Sequence, residues 1–399
     1  MAEIKFIKTK LNQAMNKPAR LLMVSTVSST LKVFLKPFAV YFRKLGWQVD
    51  GMANPDKYGG IPDGFDHYFE ICWSRNPLNR NNYLKAAKRV KQVVKDGNYD
   101  FVHVHTPVAA FITRFALRSL RKAGKPKIIY TAHGFHFHEN GSILNNILYR
   151  NLEKLAGKWT DYLVVINDED EKAALHHRIV PPDRVRHIPG IGVDTKFFNP
   201  DQVNSNDLAS IHKEFGLNST DQLLLMIAEF NRSKGHQDAI RALAKLNRPD
   251  IHLVLAGDGS RIHEMEKLAA RLSVKRQVHF AGFRNDTRTL IRASTATLLP
   301  SEREGLPMVV MESLSMGVPV IGSNIRGTRE LLEDGSGILC KTGDIEKLAA
   351  AMQWIVNHPE ERREMGILGR KKIRMYDVEN IIKLHENMYA EVLSSKRNL

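Results

Sequence analysis

The sequence predicts an α/β protein of two doubly wound, Rossmann-like domains in tandem. Three observations carry this prediction. Short apolar runs alternate with helical patterns, as in βα units wound around a parallel sheet. The alternation runs through once, then starts again after a polar, weakly periodic segment at 194–220 that contains Asn199-Pro200. The length, 399 residues, is most simply two domains at about 100–200 residues each.

Leu21-Leu22-Met23-Val24 opens the series as a strand, and an amphipathic stretch follows over 31–45. Strands are expected at 101–105, 128–131 and 162–166, with helices over 108–123 and 143–156 between them. The second series places strands at 223–228, 251–256, 278–281, 296–299 and 318–321 and helices at 236–246, 262–272, 284–292 and 309–316. The segment 194–220 is expected to be the connection plus a short helix, and the tail from Tyr376 a long helix. The domains are therefore drawn at 1–195 and 196–375, with 376–399 packing back on the first. Open parallel sheets bind ligands at the carboxyl ends of their strands, so functional residues are sought directly after these runs.

Composition excludes several classes. At 43% hydrophobic and 26% charged the chain is neither disordered nor collagen-like. Two cysteines, Cys72 and Cys340, cannot build a disulfide framework or a cysteine-ligated zinc site, and they fit a reducing compartment. No apolar run approaches the about 18 residues that span a bilayer. The start, Met1-Ala2-Glu3-Ile4-Lys5-Phe6, lacks the apolar core of a signal peptide. A soluble cytoplasmic protein is expected.

The net charge of +16 is unevenly spread: 30 basic against 17 acidic residues leave +13 in 1–195, and 29 against 26 leave +3 in the remainder. An excess confined to one half points to an anionic partner: nucleic acid, a membrane leaflet or a phosphorylated substrate. Lys85, Lys88, Arg89, Lys91 and Lys95 follow helical spacing, as do Arg114, Arg118, Arg121 and Lys122. In the opening stretch Ile4, Phe6, Ile7 and Leu11 lie among Lys5, Lys8, Lys10 and Lys17, a composition suited to an anionic membrane surface as much as to a solvated terminus.

The strongest motif is Glu304-Gly305-Leu306-Pro307-Met308-Val309-Val310-Met311-Glu312. Pro307 suits the first turn of the helix that carries Glu312. Gly305 and Leu306 offer backbone N–H groups at that helix start, where phosphate or hydroxyl oxygens bind readily. Ionised carboxylates accept hydrogen bonds from polyol hydroxyls. A second cluster, Asn231-Arg232-Ser233-Lys234-Gly235-His236, sets two cations beside a glycine at a helix start, which suits a diphosphate. In the first half, Thr131-Ala132-His133-Gly134-Phe135-His136-Phe137-His138 follows a strand end. His136 and His138 alternate with aromatics, as in a loop wall, and no further ligands of settled geometry accompany them for a zinc site. His103 reads as a buried, satisfied histidine, while His105 is open to either role.

The Glu304 to Glu312 stretch, with Gly317-Val318-Pro319-Val320 and Gly327-Thr328-Arg329-Glu330 after it, resembles the donor site of glycosyltransferase family 4. The resemblance covers about Ala19 to Tyr376. It implies the GT-B fold, with two Rossmann-like domains facing a cleft, the first on the acceptor side and the second binding a nucleotide-sugar. It also implies retention of anomeric configuration. The family's E-x7-E spacing is met by Glu304 and Glu312, giving Glu304 the donor sugar and Glu312 the ribose. Lys234-Gly235 matches the diphosphate-binding pattern. Where the family usually has a glycine-arginine pair, this sequence has Ala228-Glu229, so Arg232 is assigned from its chemistry. His133 resembles the histidine beside the donor and is the expected catalytic partner of Glu304.

By the same resemblance Phe283 and Arg284 approach the nucleotide base. Gly257-Asp258-Gly259 matches a family turn, and the loop Ser25-Thr26-Val27-Ser28-Ser29-Thr30 stands where the family often carries glycines. Ser28 and Ser29, with His136, are expected on the acceptor side. No metal is implied. The runs 130–137 and 161–167 carry a narrower likeness to transferases of bacterial capsule, exopolysaccharide and O-antigen assembly. These imply a UDP-sugar donor, an acceptor saccharide on a polyprenyl diphosphate, and peripheral contact with the anionic inner leaflet. Three readings compete: a sugar-nucleotide epimerase of the same fold, a basic nucleic-acid- or polyanion-binding protein, and a degenerate scaffold. The Glu304, Glu312 and Lys234 constellation argues against the first and third. The small excess in the donor half and the lack of a nucleic-acid motif argue against the second.

Overall fold

The computed structural model describes residues 18–394 apart from 59, 75, 77, 78 and 138–140. The basic opening stretch to Lys17, and His138, lie outside the described residues. The chain forms two compact units: the first runs to Ile191 and resumes at Ile381, and the second is Gly192–Asn380. The polar segment 194–220 thus belongs to the second unit, where it forms the helix Ser205–Glu214.

The first unit holds β1 (Arg20–Val27), β2 (Gln48–Asn54), β3 (Tyr68–Glu70), β4 (Phe101–His105), β5 (Lys127–Ala132), β6 (Tyr162–Val165) and β7 (Val185–His187). They form one parallel sheet in the order β3-β2-β1-β4-β5-β6-β7. The order reverses between β1 and β4, so this pair is the topological switch point where a doubly wound sheet opens a crevice. Helices cover both faces of such a sheet, and its central strands read as continuous apolar runs. Leu21, Leu22, Met23 and Val24 are accordingly fully buried.

β2 escapes that pattern because Asp50 and Gly51 interrupt it. Asp50 is nevertheless buried. It accepts hydrogen bonds from the Tyr99 hydroxyl (2.5 Å), the Gln48 amide (2.8 Å) and the His67 backbone (3.1 Å). β3 and β7, at three residues each, are too short to show a period.

The second unit repeats the design with β8 (Gln222–Ile227), β9 (Ile251–Ala256), β10 (Val278–Gly282), β11 (Ala296–Leu299), β12 (Val320–Ser323) and β13 (Gly337–Cys340). They form a parallel sheet ordered β10-β9-β8-β11-β12-β13, with its own apolar core. The helix after β10 begins at Thr287 rather than 284, because Arg284 is held in the preceding loop by carboxylates described below.

The final helix, Val378–Ser394, returns to the first unit, and an aromatic cluster anchors it. The buried Tyr389 ring packs at 5.1 Å on Phe42, 5.2 Å on Phe101 and 5.7 Å on Trp47. The His385 ring meets Phe38 at 4.9 Å, and the Tyr41 hydroxyl donates to Glu386 at 2.9 Å. No helix among the described residues is long and apolar enough to cross a membrane. Cys72 is exposed and Cys340 buried, and both are free thiols.

Candidate functional site

In the second unit the loops after β8, β11 and β12 are tied into one surface at the carboxyl edge of the sheet. After β8 the chain makes a single 3₁₀ turn, Arg232–Lys234, whose start is capped by the Asn231 side chain accepting from the Ser233 N–H. Gly235 ends it with φ +77°. An added Cβ there would lie 2.2 Å from the Pro300 carbonyl oxygen, so only glycine lets this turn press against the end of β11. The Glu302 N–H donates to the Ser233 carbonyl at 2.7 Å, which zips the two loops together.

That contact brings two of the residues expected from the sequence into bonding distance. The Lys234 ammonium donates to Glu304 Oε1 at 2.8 Å, with the side chains 26% and 11% exposed. A half-shielded pair of this kind contributes on the order of 1 kcal/mol to stability, so its main effect is to aim both groups. The loop after β12 completes the frame. Arg326 Nε donates to the Glu304 carbonyl at 3.0 Å, and a Cβ on Gly327 would lie 1.8 Å from the Gly305 carbonyl oxygen. The Glu304-Gly305-Leu306 segment is therefore fixed by Lys234 at its carboxylate, by Arg326 at its backbone and by a glycine shelf, directly before the helix Met308–Ser315.

Glu312 sits inside that helix and keeps some surface. Burial pushes its carboxyl up to about 7; no neighbouring cation opposes the shift. Among the described residues no hydrogen bond or ion pair engages this carboxyl.

The remaining second-unit candidates fall less evenly. Arg232 is exposed. Phe283 is 57% exposed. Arg284 is gripped in the geometry of an ion triad: its guanidinium pairs with Asp286 and Glu214, and both raise its pKa. Arg284 thus clasps the β10 loop to the helix Ser205–Glu214, and its fork already faces two carboxylates. His236, next to Gly235, is buried and stacks on Phe230 at 4.1 Å. Burial lowers it to about 4, opposed by the nearby Ala228 backbone.

In the first unit the histidines form a chain. His105 Nδ1 and His133 Nε2 are 3.0 Å apart, one ring donating to the other. His103 stacks beside His105 at 4.2 Å and is satisfied at both nitrogens, by the Tyr389 hydroxyl (2.6 Å) and the Thr131 hydroxyl (2.7 Å). This is the buried, satisfied role expected of it. His385 donates to the Ile381 carbonyl at 2.9 Å and lies 5.9 Å from the His103 ring. Burial lowers all four, His133 and His385 to about 4 and His103 and His105 well below the ordinary value; neighbouring imidazoles reinforce the shift on His103, His105 and His133, while the Ile381 carbonyl opposes it on His385. His133, which retains some surface, is therefore neutral at pH 7 and can hydrogen-bond a hydroxyl without bringing a charge.

Thr106, immediately after His105, is a residue the sequence did not single out. Its φ is +64°, a left-handed conformation that costs a β-branched residue about 1–3 kcal/mol. The strain is held by Thr26, whose N–H donates to the Thr106 hydroxyl at 2.9 Å and whose hydroxyl pairs with it at 2.6 Å. Pro107 disfavours the helical region for the preceding residue, which accounts for the extended ψ of Thr106 but gives no sign of its positive φ. These hydroxyls tie β1 to β4 at the switch point, where the family often has glycines. Ser28 is buried and donates to Asp56 at 2.7 Å, and the Ser29 N–H donates to the same oxygen at 2.8 Å. Burial raises Asp56, but these hydrogen bonds outweigh it and hold the carboxyl below its ordinary value. The His136 ring packs at 5.1 Å on Tyr149. Among the described residues one trio, Asp168, Glu171 and His187, brings potential metal-ligand atoms within 4.8 Å; its acids occupy a helix N-terminus, where the dipole favours them.

Comparison with known proteins decides the family. Residues 208–372 match the family described as Glycosyl transferases group 1, and residues 33–197 match Glycosyltransferase Family 4. The glycosyltransferase EpsD of Bacillus subtilis is 34% identical over 374 residues, 93% of this chain and 96% of that protein. The chain belongs to the glycosyltransferases. The UDP-Gal:alpha-D-GlcNAc-diphosphoundecaprenol alpha-1,3-galactosyltransferase of Escherichia coli is 29% identical over 275 residues, 67% of this transferase and 69% of that one. Solved structures share the fold: a glycosyltransferase from Rickettsia africae (TM-score 0.79, 19% identity, 95% of this chain and all of that one) and Anabaena HepE in complex with UDP-glucose (TM-score 0.78, 18% identity, 94% and 100%). The glycosyltransferase thus has the GT-B architecture of two Rossmann-like parallel-sheet domains.

Proposed function

We propose that this glycosyltransferase moves a sugar from a nucleotide-sugar, a UDP-sugar foremost, to a saccharide carried on a polyprenyl diphosphate in surface-polysaccharide assembly, with retention of configuration. The observation that carries the reading is the second-unit frame: Lys234 paired to Glu304 at 2.8 Å, with Glu312 half-buried and no cation paired to it among the described residues. Lys234, Arg232 and the Gly235 and Gly305-Leu306 backbone would receive the diphosphate, Pro307 starting the helix that follows. Glu304 would accept from the sugar hydroxyls, Glu312 from the ribose, and Phe283 would lie against the base. The E. coli relative, whose name specifies a UDP-galactose donor and a diphosphoundecaprenol acceptor, supports the choice of donor and acceptor class.

In the reaction the bond from the anomeric carbon to the phosphate oxygen breaks as the acceptor hydroxyl attacks from the same face. The hydroxyl proton passes to the departing phosphate oxygen. Charge building on that oxygen is met by Lys234 and Arg232, an electrostatic contribution that needs no resident metal in this scheme. Neutral His133 would hydrogen-bond the donor sugar, with Ser29 and His136 towards the acceptor. The positive first half would meet the acceptor diphosphate and the anionic leaflet rather than nucleic acid.

The test is transfer from UDP-, GDP- and ADP-sugars to a polyprenyl-diphosphate-linked acceptor, with and without EDTA, followed by NMR of the product's anomeric centre. Transfer from one nucleotide's sugar, insensitive to EDTA and with retained configuration, is expected. Inversion or EDTA dependence would overturn the mechanism. Interconversion of nucleotide-sugars without an acceptor would replace it with epimerisation.

A further inference from the structure

The helix Ile143–Gly157 is turned inside out relative to an ordinary surface helix. Ile143, Leu144, Ile147, Leu148 and Leu155 are 77%, 80%, 42%, 54% and 43% exposed. At about 100° per residue these five fall within one arc of about 140°. A soluble surface helix places such a stripe against its core and its polar residues outward. Here the inward side holds Glu153, which ion-pairs with the buried Arg114 at 3.0 Å and accepts from the Tyr130 hydroxyl at 3.1 Å. Leu152 and Ala156, on the same side, are more enclosed.

The charges on the outward arc have one sign. Lys154 and Lys158 are exposed within or beside it, while the helix's one acid, Glu153, is engaged inward. Beyond the C-terminal end, Trp159 packs edge-on against Phe115 at 5.8 Å, and Arg118 lies 3.9 Å over that Phe115 ring. A cation on an aromatic shelf thus lies just past the helix's C-terminal end, in the half of the chain that carries +13 from 30 basic and 17 acidic residues.

We infer that this face docks the transferase on an anionic phospholipid surface. The five aliphatic side chains would enter the boundary between headgroups and acyl chains, and Lys154, Lys158 and Arg118 would lie among the phosphates. The intermixed lysines decide the occupant. Lysine is depleted at protein–protein interfaces, whereas an interfacial helix uses long basic side chains whose stems stay apolar while their heads reach phosphate. The inference rests on the lipid-linked acceptor reading above and gives it a surface: such an acceptor is confined to the bilayer, so a docked enzyme searches two dimensions for it.

The test is co-sedimentation of the full chain with vesicles of phosphatidylglycerol and phosphatidylcholine that contain no acceptor lipid, against vesicles of phosphatidylcholine alone. The wild type should partition to the anionic vesicles and be released as salt rises. Leu144→Glu with Leu148→Glu should lower the partition coefficient at least about tenfold, given the apolar area withdrawn. Lys154→Glu with Lys158→Glu should abolish the preference for the anionic vesicles. All four side chains are exposed, so the thermal midpoint should hold in both variants. Equal partitioning by the leucine variant would overturn the inference. So would a wild type that ignores vesicles but self-associates in sedimentation velocity, with the leucine variant monomeric; the face would then be a protein interface. A UDP-induced thermal shift on the same preparations separates the two readings: its loss with vesicle binding intact breaks the donor site and leaves this surface standing.

Discussion

Towards the carboxyl end of the first sheet, three buried histidines and the half-buried His133 stand within ring contact of a neighbour, and desolvation keeps them uncharged. At the same end of the second sheet, Lys234 is paired to Glu304, and Arg326 holds the backbone of that loop. One fold, used twice, has been given opposite electrostatics. On the proposed reading, the second unit would hold a dianionic diphosphate and accept from polyols. The first offers neutral donors and acceptors on a rigid frame, with its positive charge on outer helices. On that reading, a division of labour between a charged leaving-group site and an uncharged reacting face would lie in the side chains placed on strand ends, since the backbones are alike.

The sharpest way to break this contrast is to remove the carboxylate that aims Lys234. Glu304→Ala should lower kcat/KM by at least about a hundredfold, the scale of one lost transition-state contact in a shielded site, while circular dichroism and the thermal midpoint stay near wild type. Retained turnover would take Glu304 out of the site. Gly327→Ala should act through structure instead. A Cβ placed 1.8 Å from the Gly305 carbonyl oxygen forces the loops apart, and the cost should be about 2–4 kcal/mol in denaturant unfolding. Nucleotide affinity should fall with it.

On the first unit, His105→Phe keeps the ring in place but removes the 3.0 Å hydrogen bond to His133. Its kcat should drop about tenfold, with KM for the donor nearly unchanged, as expected for a positioning bond of about 1.4 kcal/mol. An unchanged kcat would make the histidine chain packing alone.

The pH dependences set by the first-unit histidines and by Glu312 should differ in sign. The buried histidines have folded pKa values below the ordinary 6.5, two of them about 4. Unfolded chains take up protons as pH falls below 6.5 while the native imidazoles do not, so stability is lost between pH 6.5 and about 4. Glu312 is shifted the other way, from 4.5 to about 7, so its contribution to stability is full at low pH and falls as pH rises through that window. Ribose hydroxyls need its ionised form as acceptor. Nucleotide affinity should therefore weaken by a few-fold from pH 8 to 6, about tenfold per unit at most, and Glu312→Gln should flatten that slope in calorimetric titrations. A slope that survives the substitution assigns the proton elsewhere.

Much of the fold was legible because parallel strands buried on both faces read as apolar runs: residues 251–256 and 296–299 are strands in the structure. β2 was hidden by Asp50, whose partners Tyr99 and His67 lie 49 and 17 residues away. Glu304 and Lys234 were readable as motifs, but their pairing spans 70 residues and depends on the Gly235 turn pressing on Pro300. His103 was readable as a buried strand residue, whereas its tie to Tyr389 spans 286 residues, which no local period can show. Thr106 and Arg326 were not read because their meaning is geometric, a positive φ in one and a reach to a carbonyl in the other.

The most direct test of the central claim is calorimetric titration of UDP into the wild-type chain and into Lys234→Ala, both in EDTA. The wild type should show one saturable site and the variant affinity at least about thirtyfold weaker, the worth of a charge-assisted contact to phosphate. Equal affinity in the two proteins, or binding that appears only when divalent metal is restored, would contradict that claim.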